Sequence, residues 1–192
     1  MASAASVGRS AAWTAMAIAV TFGATACIGA VDRADFDAAM RARGGGMTTA
    51  VVRDAMAALA LEYGVTEFQV TSVNIGPVET VDVTVRNPAR PDQLDSFTFD
   101  GRYLSEPTPV PVGAHDDLDA QSFSLGEVPA LDRVEGLVDD ALANTAFDEG
   151  QVTGISVNRT EAIRPTVMVE SPRSRALVVF DADGAMSGVH PL

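Results

Sequence analysis

The chain contains no lysine, and all 13 basic residues among its 192 residues are arginine. This absence excludes Schiff-base chemistry, a lysine general base and the lysine of a phosphate-binding loop. The basic residues are also outnumbered by 26 acidic residues, which gives a formal charge of −13. Because so negative a surface repels phosphate groups, we expect neither nucleic acid as a partner nor a polybasic mode of membrane binding.

Cysteine and histidine are almost as rare as lysine. Cys27 is the single cysteine, which excludes an internal disulfide and a zinc site built on several cysteines. The two histidines, His115 and His190, are far apart, and no Gly-x-Ser-x-Gly motif accompanies them. The sequence also lacks a phosphate loop and a dinucleotide fingerprint. We therefore predict a non-catalytic protein with no metal and no cofactor.

Two acidic motifs deserve comparison with calcium sites. Asp181-Ala-Asp-Gly184 begins like a calcium-binding loop, but Met186 and Leu192 occupy the positions where that loop needs glycine and glutamate. Asp-Gly between apolar runs instead predicts a hairpin turn, as at Asp100-Gly101. A second cluster (Asp116, Asp117 and Asp119) could bind a cation, although such clusters are more typical of solvated loops.

An uncharged segment near the start predicts a targeting signal. Residues 11–26 (AAWTAMAIAVTFGATA) are too short an apolar run for a span of ~20 residues and are typical of a signal-peptide core. The segment ends in Ala24-Thr-Ala-Cys27, which resembles a bacterial lipobox, where the cysteine thiol is acylated. We predict lipidation of Cys27 and anchoring to the outer face of the cell membrane. Plain secretion and an uncleaved anchor are the alternatives.

Three sequence blocks recur in the same order about 82 residues apart, which predicts an internal repeat. QVTSVNI (69–75) aligns with QVTGISV (151–157), VTVRNP (83–88) with VMVESP (167–172), and FTFDG (97–101) with VVFD (178–181) followed by Gly184. A segment with apolar residues at helical spacing precedes each set, over 49–63 and 130–144. Alternating apolar residues within the blocks predict half-buried antiparallel strands.

These patterns predict an α+β fold. Its unit is a tandem repeat of one helix followed by three or four antiparallel strands, with the helices packed on one face of the sheet. The predicted organisation is a signal peptide (1–26), a tether with a short helix and a glycine hinge (27–47), repeat 1 (48–104), a linker (105–128) and repeat 2 (129–192). The sequence leaves open whether the two repeats share one sheet.

From residue 48 onward, this outline resembles the tandem α/β repeat of secreted β-lactamase-inhibitor proteins and the PepSY-type domains of bacterial envelope proteins. The resemblance implies a non-catalytic envelope lipoprotein, of actinobacterial type, that binds or restrains another protein. The inhibitor proteins usually carry disulfides, which this chain cannot form, so no inhibitory residue is transferred. The alternative function is a carrier of lipid or another hydrophobic small molecule in a cavity between sheet and helices.

Arginine supplies the candidate binding residues. The segment 151–192 contributes four of them to the second repeat: Arg159, Arg164, Arg173 and Arg175. Because arginine is favoured at protein interfaces, we predict that these residues bind an unidentified envelope protein. The alternative is that they are charged strand edges that prevent edge-to-edge pairing.

A second candidate site precedes the first repeat. Exposed backbone N–H groups before a helix favour anions, which makes a small anion pocket of four consecutive residues conceivable: Arg43, Gly44, Gly45 and Gly46. The alternative is a short helix over 32–43 that packs on the sheet edge and ends in a glycine turn.

Overall fold

The computed structural model describes residues 45–192. The predicted signal peptide, Cys27, the helix over 32–43, Arg43 and Gly44 lie outside the described residues. The described helices are α1 (Thr49–Tyr63), α2 (Leu118–Gln121) and α3 (Val134–Thr145). The described strands are β1 (Gln69–Gly76), β2 (Thr80–Arg86), β3 (Leu94–Phe99), β4 (Thr108–Val110), β5 (Gln151–Arg159), β6 (Ile163–Glu170), β7 (Arg175–Phe180) and β8 (Met186–Pro191).

All these strands form one antiparallel sheet, in the order β4-β3-β2-β1-β5-β6-β7-β8. The first strand of each predicted repeat lies at the centre, where β1 pairs with β5 and places Ile75 opposite Ile155. The later strands of each predicted repeat follow outwards in chain order, towards opposite edges. The two sequence segments therefore share one sheet, and the predicted α+β fold with an antiparallel sheet is confirmed.

One face of the sheet is covered by α1 and α3, and we call it the covered face. Alternate residues of the central strands point to this face and are buried, and examples are Val73, Val83, Phe97, Val157, Val167, Val178 and Phe180. The helices meet them with Leu59 of α1 and Leu137 of α3, both fully buried. Burying one such side chain contributes about 1.5–3 kcal/mol, so this layer holds the sheet and helices together.

The helix boundaries follow local chemistry. The predicted helix over 49–63 is confirmed as α1, which Thr48 caps by accepting the Val51 amide at 3.2 Å. The second predicted helix is corrected, because a 3-10 segment occupies Pro129–Arg133 and the α-helix begins at Val134. The break lies at Arg133, whose φ of −141° is not helical. The next amide, that of Val134, donates to the Thr49 hydroxyl of α1 at 3.1 Å.

Several backbone features occur at positions that the sequence alignment pairs. Each long helix ends in a left-handed residue, Gly64 after α1 and Ala146 after α3. Each central strand carries a bulge at the same place, between Val70 and Ser72 in β1 and between Val152 and Gly154 in β5. The β3–β4 and β7–β8 turns each contain a glycine at φ +87°, Gly101 and Gly184.

The predicted linker packs against the rest of the domain. Thr108–Val110 form the short edge strand β4 within the segment predicted as a linker. Phe123 forms a bridge with Val70 and is fully buried. These contacts make the linker part of the same core.

Candidate binding surface on the open face of the sheet

The second face of the sheet, opposite α1 and α3, is the open face. Antiparallel pairing places alternate residues on it, in cross-strand rows whose members are direct neighbours. Two rows belong to the first half of the sheet: Ser72-Thr84-Ser96 and Asn74-Asp82-Thr98. Two rows belong to the second half: Gly154-Met168-Leu177 and Ser156-Thr166-Val179.

The two halves of the open face differ in chemistry. The first half presents hydroxyl, amide and carboxylate groups, and the Thr98 hydroxyl donates a hydrogen bond to the Asp82 carboxylate. The second half adds Met168, Leu177 and Val179, all partly exposed, beside the hydroxyl groups of Ser156 and Thr166. The centre of the open face is therefore a boundary between a polar half and a half of mixed polar and apolar character.

A depression of about 290 Å³ lies at this boundary. Its floor contains Gly76 of β1 and Gly154 of β5. Ile75 pairs with Ile155 across these strands, Gly76 follows Ile75, and Gly154 precedes Ile155. Its polar residues are Asn74, Asp82, Thr153, Ser156 and Thr166, and its apolar wall is Met168 and Leu177. The volume is just below the range typical of sites for small-molecule ligands, and it is large enough for one long side chain.

The backbone does not require glycine at either floor position. Neither Gly76 nor Gly154 has a positive φ. A Cβ atom at Gly154 would lie 3.6 Å from the nearest atom, the Ile75 carbonyl oxygen, and at Gly76 it would lie 3.7 Å from Thr80. Both distances are ordinary van der Waals contacts, so the depression exists because these side chains are absent.

The turn after Gly76 is strained and exposed. Val78 and Glu79 both have positive φ, at 62° and 59°, which is rare for a β-branched residue such as valine. Val78 is 78% exposed, and Tyr103 of the β3–β4 turn is 72% exposed. This end of the sheet therefore places two large side chains in solvent.

The four predicted arginines lie in different places. Arg159 is on the covered side, where it donates to the Ser122 carbonyl at 2.7 Å and forms an ion pair with Glu127. The Ser124 amide, followed by this ion pair, lowers the pKa of Glu127. Arg164 and Arg175 project from opposite ends of the open face, opposite Asn158 and Glu170 respectively.

Arg173 lies elsewhere, in the β6–β7 turn, where it lines a cleft with Asp148 and Glu149. The structure thus does not bring the four arginines together. Their role in binding a partner stays a prediction.

The described part of the predicted anion pocket is a turn. The Gly45 carbonyl accepts the Val78 amide at 2.6 Å, and the Glu79 side chain lies against Gly46. The pocket itself also needs Arg43 and Gly44, so it stays a prediction.

The acidic motifs have local roles in the backbone. Asp117 caps α2 by accepting the Ala120 amide at 3.0 Å, and Asp119 pairs with Arg86 at 2.6 Å. Asp181 accepts the amides of Asp183 and Ala185 at 3.1 and 2.8 Å, within the β7–β8 turn. Over residues 45–192, no group of three or more histidine, cysteine, aspartate or glutamate side chains is arranged to hold a metal ion.

Sequence reasoning did not identify the depression, although two signals were present. The aligned blocks pair Ser72 with Gly154, and a glycine inside a strand indicates a close approach by a ligand or another chain. They also pair Thr84 with Met168, which places an apolar residue where alternation predicts a solvent-facing one.

Comparison with known proteins adds a fold-level relationship. No family model matches the chain, and no curated protein matches it. A crystal structure from Clostridium difficile, described as that of a "putative lipoprotein", is similar to it with a TM-score of 0.51 and 12% sequence identity. The match covers 73% of this chain and 92% of that one. At this identity the likeness establishes the shared fold. The β-lactamase-inhibitor and PepSY resemblances stay predictions.

No helix within residues 45–192 combines the length and apolar character that crossing a bilayer requires.

Proposed function

We propose that this chain is a non-catalytic cell-envelope lipoprotein that binds another protein through the open face of its sheet. The observation that carries the proposal is the contrast between the two faces. The covered face is filled by buried apolar side chains, whereas the second half of the open face leaves Met168, Leu177 and Val179 accessible. Apolar residues beside a polar surface are typical of protein interaction sites.

The lipid anchor is the first part of the proposal. It is supported by the lipobox-like segment that ends at Cys27 and by a shared fold with a protein described as a lipoprotein. Acylation of Cys27 would hold the domain at the outer face of the cell membrane, with plain secretion as the alternative. We expect Cys27→Ser to move the protein from the membrane fraction to the soluble extracytoplasmic fraction. Membrane association of the mutant at the wild-type level would contradict the anchor.

Protein binding by the open face is tested by affinity isolation from chemically crosslinked envelopes. Wild-type protein should retain a specific partner, and Thr166→Arg should lose it because a bulky charge then occupies the centre of the open face. The matched control is Leu61→Arg, a change on α1 at a side chain that is 83% exposed. Equal recovery with both variants would exclude the open face as the binding surface.

The carrier hypothesis remains the alternative. The space between the helices and the sheet is occupied by fully buried side chains such as Phe97, Phe180 and Leu137. This packing does not support the cavity that a carrier would need. Native mass spectrometry of protein purified from its host would test it, since a carrier should retain bound lipid.

We also propose that the domain arose by duplication. The support is the recurrence of the αL helix caps, the strand bulges and the Asp-Gly turns at aligned positions. Duplication would explain why the strands extend from the centre in the same order on both sides.

A further inference from the structure

We propose that the depression over Gly154 is a subsite for one lysine or arginine side chain of the protein partner. This inference rests on the proposed function, because it names the chemistry that the open face recognises. The aliphatic stem of the partner side chain would lie on Gly76 and Gly154 against Met168 and Leu177. Its charged head would meet the Asp82 carboxylate.

The first argument is the unforced absence of side chains at the floor. Glycine inside a strand weakens the strand, because it costs more backbone entropy and packs nothing. The bulge does not explain it, since Ser72 occupies the corresponding position of the β1 bulge. With 3.6 Å of clearance at Gly154, a small side chain would fit. The cost of glycine is thus consistent with keeping space for an incoming group.

The second argument is charge complementarity. Of the described residues that line the depression, Asp82 alone is charged, and it lies on the polar wall, on the side opposite Met168 and Leu177. The whole chain carries −13, which attracts basic partners over a Debye length and repels acidic ones. Lysine and arginine combine an apolar stem with a cationic head, which matches one apolar wall and one carboxylate.

The experiment is an amide NMR titration of the full chain in detergent micelles at low ionic strength. The probes are the Nα-acetyl methylamides of lysine and arginine, with those of norleucine and glutamate as controls. We expect the basic probes to shift the amides of Gly76, Gly154 and Met168. Norleucine should shift them less because it has the stem without the charge, and glutamate should leave them unchanged.

Two variants distinguish the contribution of the space above Gly154 from that of the Asp82 charge. Gly154→Val fills the depression while favouring the strand, so it should stay folded and lose the localised shifts. Asp82→Asn keeps the shape and removes the charge, and should weaken the basic probes by about fivefold, as for an exposed ion pair. The proposal is overturned if norleucine or glutamate binds as well as lysine, or if the shifts persist in Gly154→Val.

The same variant distinguishes this inference from the proposed function. If Gly154→Val still retains the partner from crosslinked envelopes while Thr166→Arg loses it, the open face binds protein and the subsite is wrong. If neither change affects recovery of the partner, the open face does not bind it and the proposed function fails. The probe titration then reports only on whether the depression itself binds a basic side chain.

Discussion

The two halves of the sheet share a backbone plan but differ on the open face. On the covered side, Phe99 and Phe180 occupy aligned positions and are both buried. On the open side, the row Ser72-Thr84-Ser96 of the first half corresponds to Gly154-Met168-Leu177 in the second. Packing constrains the covered face in both halves, whereas no core constrains the open face. This asymmetry is the reason for proposing that the second half of the open face binds a partner.

The largest expected effect tests whether the two halves of the covered face are packed alike. Phe99→Ala and Phe180→Ala should each lower the free energy of unfolding by about 3–5 kcal/mol, because each leaves a cavity in the core. Their open-face neighbours give the contrast, since Thr98→Ala and Val179→Ala should each lower it by about 1 kcal/mol or less. Urea unfolding of the four variants measures this. A small cost for either phenylalanine would show that the two halves are not packed alike.

Loss of a buried hydrogen bond should lower the free energy of unfolding by a smaller amount, and only in the first half of the sheet. There a buried carboxylate takes the place of an apolar side chain. Asp95 is buried and accepts hydrogen bonds from Tyr63 at 2.9 Å and Asn87 at 2.8 Å. In the first half Asp95 pairs with Val85, and in the second half Ala176 pairs with Val169, the residue aligned with Val85. The buried Ala176 therefore occupies the position that corresponds to Asp95. Tyr63→Phe should therefore cost about 1–3 kcal/mol, since the Asp95 carboxylate then loses a donor.

The same tyrosine predicts a sensitivity to alkaline pH. Burial, followed by the hydrogen bond to Asp95, raises the pKa of Tyr63 above its ordinary value of 10.0. The folded state thus holds this proton more tightly, so its contribution is complete below pH 10 and decreases as pH rises further. Thermal unfolding across this range should show a steeper decline for wild type than for Tyr63→Phe. Parallel curves would contradict the assignment.

The contact between the first turns of α1 and α3 should contribute about 1 kcal/mol to the free energy of unfolding. Glu135 accepts the Thr49 amide at 3.0 Å and the Thr49 hydroxyl at 2.7 Å, at the positive end of α1. Burial raises the pKa of Glu135, but the hydrogen bonds from Thr49 outweigh it and leave the pKa below the ordinary 4.5. Its contribution is therefore present above about pH 4.5 and lost as pH falls further. Glu135→Gln should reduce the loss of unfolding free energy as pH falls below about 4.5. The same pH dependence in the variant and the wild type would contradict this role of Glu135.

The smallest expected effect is a gain. Gly154→Ser gives β5 the residue that β1 carries at its bulge, and it should raise the free energy of unfolding by about 0.5–1 kcal/mol by reducing the entropy of the unfolded chain. Gly64→Ser is the contrasting change, because Gly64 has φ 65° and serine there should destabilise. Destabilisation by Gly154→Ser would mean that the fold itself requires glycine at this position.

The sequence predicted α1 and the antiparallel strands because hydrophobic periodicity reports directly on burial. The aligned blocks also carried the Asp-Gly turns. It could not predict the shared central pair β1–β5, since strand order depends on long-range packing that local patterns do not encode. The first residue of α3, Val134, also makes a hydrogen bond to Thr49, a contact that is equally long-range.

The candidate site was harder to predict than the fold. The arginines were selected by residue type, and the structure separates them because Arg159 faces the covered side while Arg173 lies in a turn. The depression depends on which residues pair across neighbouring strands, namely Asn74 with Asp82, Gly154 with Met168 and Met168 with Leu177. That adjacency follows from register, which the sequence alone does not give.

Site-specific photo-crosslinking in intact cells would show whether the open face of the sheet contacts another protein. A photoreactive residue would be placed in turn at Thr166 on the second half of the open face, at Ser96 on the first half, and at Leu61 on the outer side of α1. We expect a discrete protein adduct from Thr166, a weaker one from Ser96 and none from Leu61. A discrete adduct from Leu61 with none from Thr166 would contradict it.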